Sequence, residues 1–334
     1  MGGKQCTVSS RPRAPAPRVT PATSRGSIEC LPTSTRIAAT PAPPINCSKS
    51  SSRLPLRVPR KRCVRGLETL FYTREMKTVL VTGASRGLGL ELARQYVHKT
   101  KDGDYGPPAW RVVVCVRGDP PHDTLYDELR QGHEGCTSFV IITLDVACSD
   151  AFNSNFRNAL KSIGRIDVLI NNAGVCIGRE CAVGNVDYDA WTRSFNTNVM
   201  GSMRVLEHCL PHLTSDATVV NISGRMGSIG RVLSGLGASS ATTQDVVYRT
   251  TKAALNMMTV CAAAEMRTNP KTKSVKVIAV DPGWMNTDMG SRGGTIKAPL
   301  EPRESAAGIV ALIESLTPED SGKFLNWRGE EMPW

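Results

Sequence analysis

No apolar run in this 334-residue chain is long enough to span a membrane and no secretory signal pattern is visible, which argues against a membrane-spanning or exported protein. Cysteine pairing signals are missing too. Seven of the 11 cysteines follow residue 75, at 115, 136, 148, 176, 181, 209 and 261, with no CxxC pair and no metal-ligand spacing. An odd number of unpatterned cysteines reads as reduced thiols in an intracellular protein, with no metal site. Acidic residues are nearly absent from residues 1–75, where 14 Lys/Arg face only Glu29, Glu68 and Glu75. That segment carries the whole formal charge of +11, because the remaining 259 residues balance 27 Lys/Arg against 27 Asp/Glu. The basic total is therefore no sign of a nucleic-acid-binding fold, and neither a nucleic-acid nor a membrane partner is expected.

What residues 1–75 do contain is Ser, Thr, Pro and Arg without apolar periodicity, as in PAPPINCSKSSSRLPLRVPRKR (41–62). Such a stretch buries too little apolar surface to offset the entropy of folding, so a disordered leader is expected. Three readings of it stand. It is an organelle transit peptide, which has this composition; or a basic tail for anionic partners; or an upstream mis-start, since MKTVLVTGAS at Met76 opens directly on a buried-strand pattern. The last reading makes the protein cytoplasmic; the first sends it to a mitochondrion or plastid.

From Lys77 onward, short apolar runs alternate with helix-length segments. KTVLVT (77–82), RVVVCV (111–116), SFVIITL (138–144), IDVLIN (166–171), ATVVNI (217–222) and VKVIAV (275–280) are continuously apolar, as strands buried on both faces are. Between them, GLELARQYVHK and YDAWTRSFNTNVMGSMRVLEHCL read as helices. In the second, Trp191, Phe195, Val199 and Met203 recur every four residues and predict one buried stripe. Strand–helix alternation repeated six times predicts an α/β fold, a parallel sheet with helices on both faces. With no internal repeat and no second composition class, residues 76–334 are expected to form one domain.

The first strand runs into TGASRGLG (82–89) and then a helix. Glycines at 83, 87 and 89 allow a sharp turn and close approach of backbone to a ligand. The helix starting there aims free N–H groups and its positive dipole end at a phosphate. After the first buried strand of a repeated βα pattern this reads as a dinucleotide site, although the spacing is G-x-x-x-G-x-G and a tight strand–helix turn looks the same locally. The second strand ends in VRGDP, placing Arg117 where an NAD-selective site carries an acid for the ribose hydroxyls. With Arg86 nearby, this suits a 2′-phosphate, so NADP(H) is expected over NAD, unless both arginines are solvated surface cations. In VVYRTTKAALN (246–256), Tyr248 and Lys252 lie one helical turn apart on one face, and Asn256 continues the line. A phenol near pKa 10 donates poorly at neutral pH, and an adjacent ammonium draws it toward the working range.

TGASRGLG, LDV (144–146), NNAG (171–174), Asn198 within NTNV, Tyr248-x-x-x-Lys252 and PG (282–283) together resemble, in order, the motifs of short-chain dehydrogenases/reductases, over essentially all of 77–334. YRTTKAALNMM, DPGWMNTDMG and GKFLNWRGEEMPW look like the C-factor and sniffer-type carbonyl reductase branch. The resemblance implies a single Rossmann-type doubly wound sheet of about seven strands. It also implies hydride transfer between NADP(H) and a small-molecule carbonyl or alcohol substrate. Tyr248 would then be the general acid/base and Lys252 the group that holds the nicotinamide ribose and tunes the tyrosine. Asn198 would anchor a relay water, where by itself it reads equally as a kink or a core amide. For the cofactor, the resemblance implies Gly83, Ser85, Arg86, Gly87, Leu88 and Gly89 in the glycine turn, with Asp145 and Val146 at the adenine. Asn171, Asn172, Ala173 and Gly174 would border it behind the fourth strand, unless the asparagines mainly bridge strands. Pro282, Gly283 and Thr287 would face the carboxamide. Residues 284–303, rich in Gly and polar residues, read as a mobile substrate lid, with Trp284 lining the pocket or packing beneath it. A homo-oligomer is compatible with all of this. The rival reading is a non-catalytic NADP-binding protein with a regulatory or signalling role.

One departure bears on catalysis. The family usually carries two serines after the fifth strand, the second bonding the substrate carbonyl. Here NISGRMGS puts Gly224 at that second position. Ser223 is the nearest hydroxyl, and Ser228, Ser239 and Ser240 are the other candidates to replace it.

Overall fold

The six expected strands and a seventh form in a computed structural model: β1 Lys77–Thr82, β2 Trp110–Val116, β3 Phe139–Thr143, β4 Ile166–Asn171, β5 Leu213–Ile222, β6 Lys276–Asp281 and β7 Phe324–Asn326. The structure describes residues 76–98, 110–118, 126–127, 139–235 and 245–334; the leader expected over 1–75, and Ser239 and Ser240, lie outside these. The strands make one parallel sheet in the order β3-β2-β1-β4-β5-β6-β7. The helices are α1 Gly87–His98, α2 Ser154–Ile163, α3 Tyr188–Phe195, α4 Ser202–Cys209, α5 Ile229–Leu233, α6 Val246–Thr268 and α7 Pro302–Ser315.

The continuous apolar runs are explained by two cores. Val79, Val81, Val112, Val114 and Ile170 point to one face, under Leu92 and Tyr96 of α1 and Ile309 and Val310 of α7. Leu80, Val113, Leu169, Val219 and Val277 point to the other, under Leu160 of α2, Leu206 of α4 and Ala262 of α6. Alternate residues thus meet different helix layers, and neither set faces water. Helix ends follow local chemistry: the Asn153 side chain accepts from Asn155 N and Phe156 N to open α2, and Gly164 at φ 80 closes it.

The stripe expected over 188–210 is not the one observed. Phe195 and Met203 are each 37% exposed and Trp191 is half-buried; of the four, only Val199 is buried. The buried stripe runs one position earlier, through Ala190, Ser194, Asn198 and Ser202. Close approach selects small residues here: a Cβ added at Gly201 would stand 2.9 Å from Val146. A π-helical turn over Asn196–Gly201 separates α3 from α4 and presents Asn198 to the sheet.

Candidate active site

The strand order reverses between β1 and β4, and chains leaving neighbouring strands in opposite directions open a crevice beyond their carboxyl ends. A cleft of about 1100 Å³ lies there, running from the glycine turn to Tyr248. Every residue that the family resemblance places at the site lines it except Asn171 and Asn198, and of the described alternative hydroxyls Ser228 does not line it.

The glycine turn is shaped as expected at Gly83, whose φ of 65° and 2.7 Å approach of an added Cβ to Ala173 Cα exclude a side chain. Gly89 differs: a Cβ there would meet Asn172 Nδ2 at 2.4 Å, so this glycine lets α1 pack on the end of β4 and not on a ligand. The Thr82 hydroxyl accepts from Asn172 N and Ala173 N at 3.1 Å each, and Asn172 Nδ2 donates to Thr82 O at 2.9 Å. Asn171 Nδ2 donates to Asn221 Oδ1 at 2.9 Å. Both asparagines therefore bridge strands. Asp145 is fixed by accepting from Ala147 N at 3.0 Å, and Ser305 Oγ donates to Pro282 O at 2.7 Å. The first turn of α1 carries no acid, and its leading N–H groups have no partner within the helix. Those donors, the exposed Arg86 and Arg117 at the rim, and the length of the cleft fit a nicotinamide dinucleotide. Arg86 is not idle, however: its Nη1 lies 2.8 Å from Asp288 Oδ2, tying the glycine turn to the 284–303 segment.

At the far end, Lys252 Nζ sits 5.6 Å from the centre of the Tyr248 ring and donates to Ile222 O at 2.7 Å. Burial lowers the lysine pKa to about 8. The tyrosine, expected to be drawn down, is instead pushed up, first by burial and then by Cys176, with the Arg179 charge opposing. The Asn198 amide clamps the backbone of Val175, accepting from its N–H at 2.8 Å and donating to its carbonyl at 2.9 Å.

β5 ends at Ile222, but Ser223 N still donates to Val280 O of β6 at 2.8 Å; the residue is buried and its hydroxyl donates to Asn256 Oδ1 at 2.5 Å. Ser228 caps α5 and donates to Pro333 O at 2.6 Å. Gly224 is extended, at φ 163, and an added Cβ would meet nothing within 4 Å. The 284–303 segment is closed at its base by Asn286 N donating to Leu300 O at 2.7 Å. Trp284 both lines the cleft and staples the segment, its Nε1 donating to Gly290 O at 2.9 Å.

Several cleft residues escaped the sequence reading. Asp281, 2% exposed, holds Arg225 through its backbone N–H at 2.9 Å and its Nη2 at 3.0 Å. Cys176, Arg179, Asp245, Arg249 and Arg292 also line the catalytic end. Position just past β4 could have flagged the first two, and one-turn spacing from Tyr248 could have flagged Asp245; nothing marked Arg249 or Arg292. Among the described residues, no His/Cys/Asp/Glu group is arranged for a metal, and no helix is long and apolar enough to cross a membrane.

Over 173 residues, 51% of this chain and 94% of that protein, the chain is 40% identical to C-signal of Myxococcus xanthus. It is 28% identical over 259 residues to 1-hydroxy-2-glutathionyl-2-methyl-3-butene dehydrogenase of Rhodococcus sp. (strain AD45), covering 78% of this chain and 100% of that one. In three dimensions it resembles the NADPH-bound carbonyl reductase from chicken fatty liver, with a TM-score of 0.62 and 30% identity over 78% of this chain and 99% of that one. The sheet, the cleft at its switch point and these likenesses agree with the short chain dehydrogenase family model, which matches residues 77–295, and the chain belongs to that family of oxidoreductases.

Proposed function

We propose that this chain is an NADPH-dependent carbonyl reductase acting on a small aldehyde or ketone, with Tyr248 as the proton donor. The observation that carries this reading is the Tyr248–Lys252 pair at one end of a cleft whose other end is the glycine turn. A bound nicotinamide supplies the hydride. The α1 amides and Arg86 hold its phosphates, Arg117 takes the 2′-phosphate, and Asp145 borders the adenine. The chicken enzyme's NADPH supports this choice of cofactor. Lys252 holds the ribose and, while charged, favours the phenolate that Tyr248 becomes on giving up its proton. Because burial raises the Tyr248 pKa, the phenol stays protonated at neutral pH. A protonated phenol can give its proton to a carbonyl oxygen, the role proposed here, while the raised pKa weakens it as a donor and leaves the Lys252 charge to favour the phenolate. Asn198 keeps the chain leaving β4 in register with α6 by bonding both Val175 and Thr251.

The test is loss of NADPH absorbance against a panel of quinones, aldehydes and ketones, in the wild type and in Tyr248→Phe. The variant should keep NADPH binding and lose at least about 100-fold in turnover, the scale of one positioned proton donor. Unchanged turnover would sink the assignment. One observation favours a second reading, a regulatory NADP-binding protein: Gly224 offers no hydroxyl, and those of Ser223 and Ser228 are engaged elsewhere.

A further inference from the structure

Two walls of the cleft come from segments that no strand pairing joins, because β1 and β2 lie between β3 and β4 in the sheet. One wall follows β3: Asp145 and Val146 line the cleft, and Leu144 N donates to Val116 O at 2.7 Å, which sets them beside Arg117. The other follows β4, where Gly174 and Val175 line it. The π-helical turn Asn196–Gly201 touches both. Asn198 holds the second wall through its two bonds to Val175. On the first wall, Asn196 Nδ2 donates to Ala147 O at 2.8 Å, and Arg204 Nη1 donates to Val146 O at 3.2 Å and to Asn196 Oδ1 at 2.9 Å. Gly201 completes the contact, since an added Cβ would stand 3.0 Å from Val146 O.

Arg204 is the member that helix packing does not explain. It is half-buried, forms no ion pair among the described residues, and directs its guanidinium at two neutral oxygens. A guanidinium taken partly out of water recovers less from such acceptors than from a carboxylate, so this placement contributes little stability. What it does contribute is a fixed backbone. Ala147 N donates to Asp145 Oδ1 at 3.0 Å, so with Arg204 and Asn196 in place both carbonyls of residues 146 and 147 and the amide between them are engaged. Released, those carbonyls would turn to water at little cost, and Asp145 and Val146 would lose their shared setting.

We propose that Arg204 is a positioning residue for the adenine end of the nucleotide, acting through Asn196, Val146 and Ala147; it does not itself line the cleft. The turn that carries Asn198 then braces both walls at once and fixes the distance from the adenine to the catalytic end. This role rests on the reading of the cleft as a nicotinamide dinucleotide site with the adenine at Asp145 and Val146.

The experiment measures dissociation constants of the full chain for NADPH, adenosine 2′,5′-bisphosphate and 5′-AMP by calorimetry, in the wild type, Arg204→Met and Asn196→Ala. Arg204→Met should weaken the bisphosphate about tenfold and NADPH by the same factor, because the whole loss falls on the adenine half. Asn196→Ala, which removes the other donor, should show the same matched loss, and it decides the matter if Arg204→Met does not fold. Unchanged bisphosphate affinity overturns the brace. So does a loss for NADPH that exceeds the loss for the bisphosphate, as a general loosening of the cleft would give. If the wild type binds 5′-AMP as tightly as the bisphosphate, the NADPH preference fails, while a matched loss of 5′-AMP and dinucleotide in the variants still upholds the brace. A wild type that binds none of the three overturns the cofactor reading and the brace together.

Discussion

Lys252 carries opposite consequences for stability and for function. Burial lowers its pKa to about 8, whereas a lysine in an unfolded chain holds its proton to about 10.4. Between those values only the native state has lost the proton, so the lysine's burial penalty eases and this term makes the fold more stable as pH rises. If Lys252 holds the ribose and steadies the phenolate as an ammonium, as proposed, NADPH affinity and turnover should both decline as pH rises through about 8. In Lys252→Met that alkaline limb should be absent; NADPH dissociation constants measured across pH for both proteins check it. Gly224 presents the reverse case, a group missing where there is room for it. Its extended backbone and open surroundings admit a serine without strain. If turnover is limited by carbonyl polarisation, Gly224→Ser should accelerate reduction of unreactive ketones toward the roughly 100-fold scale of a single oxyanion donor, with NADPH affinity unchanged. A rate indifferent to the new hydroxyl would show that catalysis here does not rest on that contact.

Between elements, the Arg86–Asp288 pair joins the α1 turn to the 284–303 segment, and its side chains are 72% and 70% exposed. Exposed pairs contribute about 0–1 kcal/mol, less than the roughly 1.5–3 kcal/mol of a charge-assisted bond to phosphate, so phosphate should win Arg86 from Asp288. Asp288→Asn should then tighten NADPH binding by up to about fivefold, and Arg86→Ala should weaken it, as fluorescence titration would show. No spacing rule announces this pair, since its members stand 202 residues apart. The strands were legible for the opposite reason: burial on both faces leaves a continuous apolar run, and β1 and β4 fall where the runs do. The turn glycines, Tyr248 and Lys252 were legible because their spacing carries the geometry. Over 188–210 the pattern misled. Asn198 and Ser202 are buried with bonds to backbone beside the close packing at Gly201, and Ser194 is buried with its hydroxyl unpartnered, while Phe195 and Met203 remain outside. The direction of the Ser223 hydroxyl, toward Asn256 on α6, is likewise set by a tertiary contact.

For the molecule as a whole, β1 begins at Lys77 and is paired on both sides, by β2 and by β4, with no described residue before it in the sheet. The shortened chain 76–334 should therefore melt in one cooperative transition, close to that of the full chain in a calorimetric scan. Aggregation of the short form beside a folding long form would assign the leader a structural part. The pairing of β1 has a further consequence, during synthesis. Its β2 edge is met early, through Lys77↔Trp110, but Thr82 waits for Asn172, 90 residues later, on the other. At roughly 5–20 residues per second that edge stays bare on the ribosome for roughly 5–20 seconds. An unpaired apolar edge is a template for any neighbouring nascent chain. That interval is when a chaperone covering the edge would have most to protect.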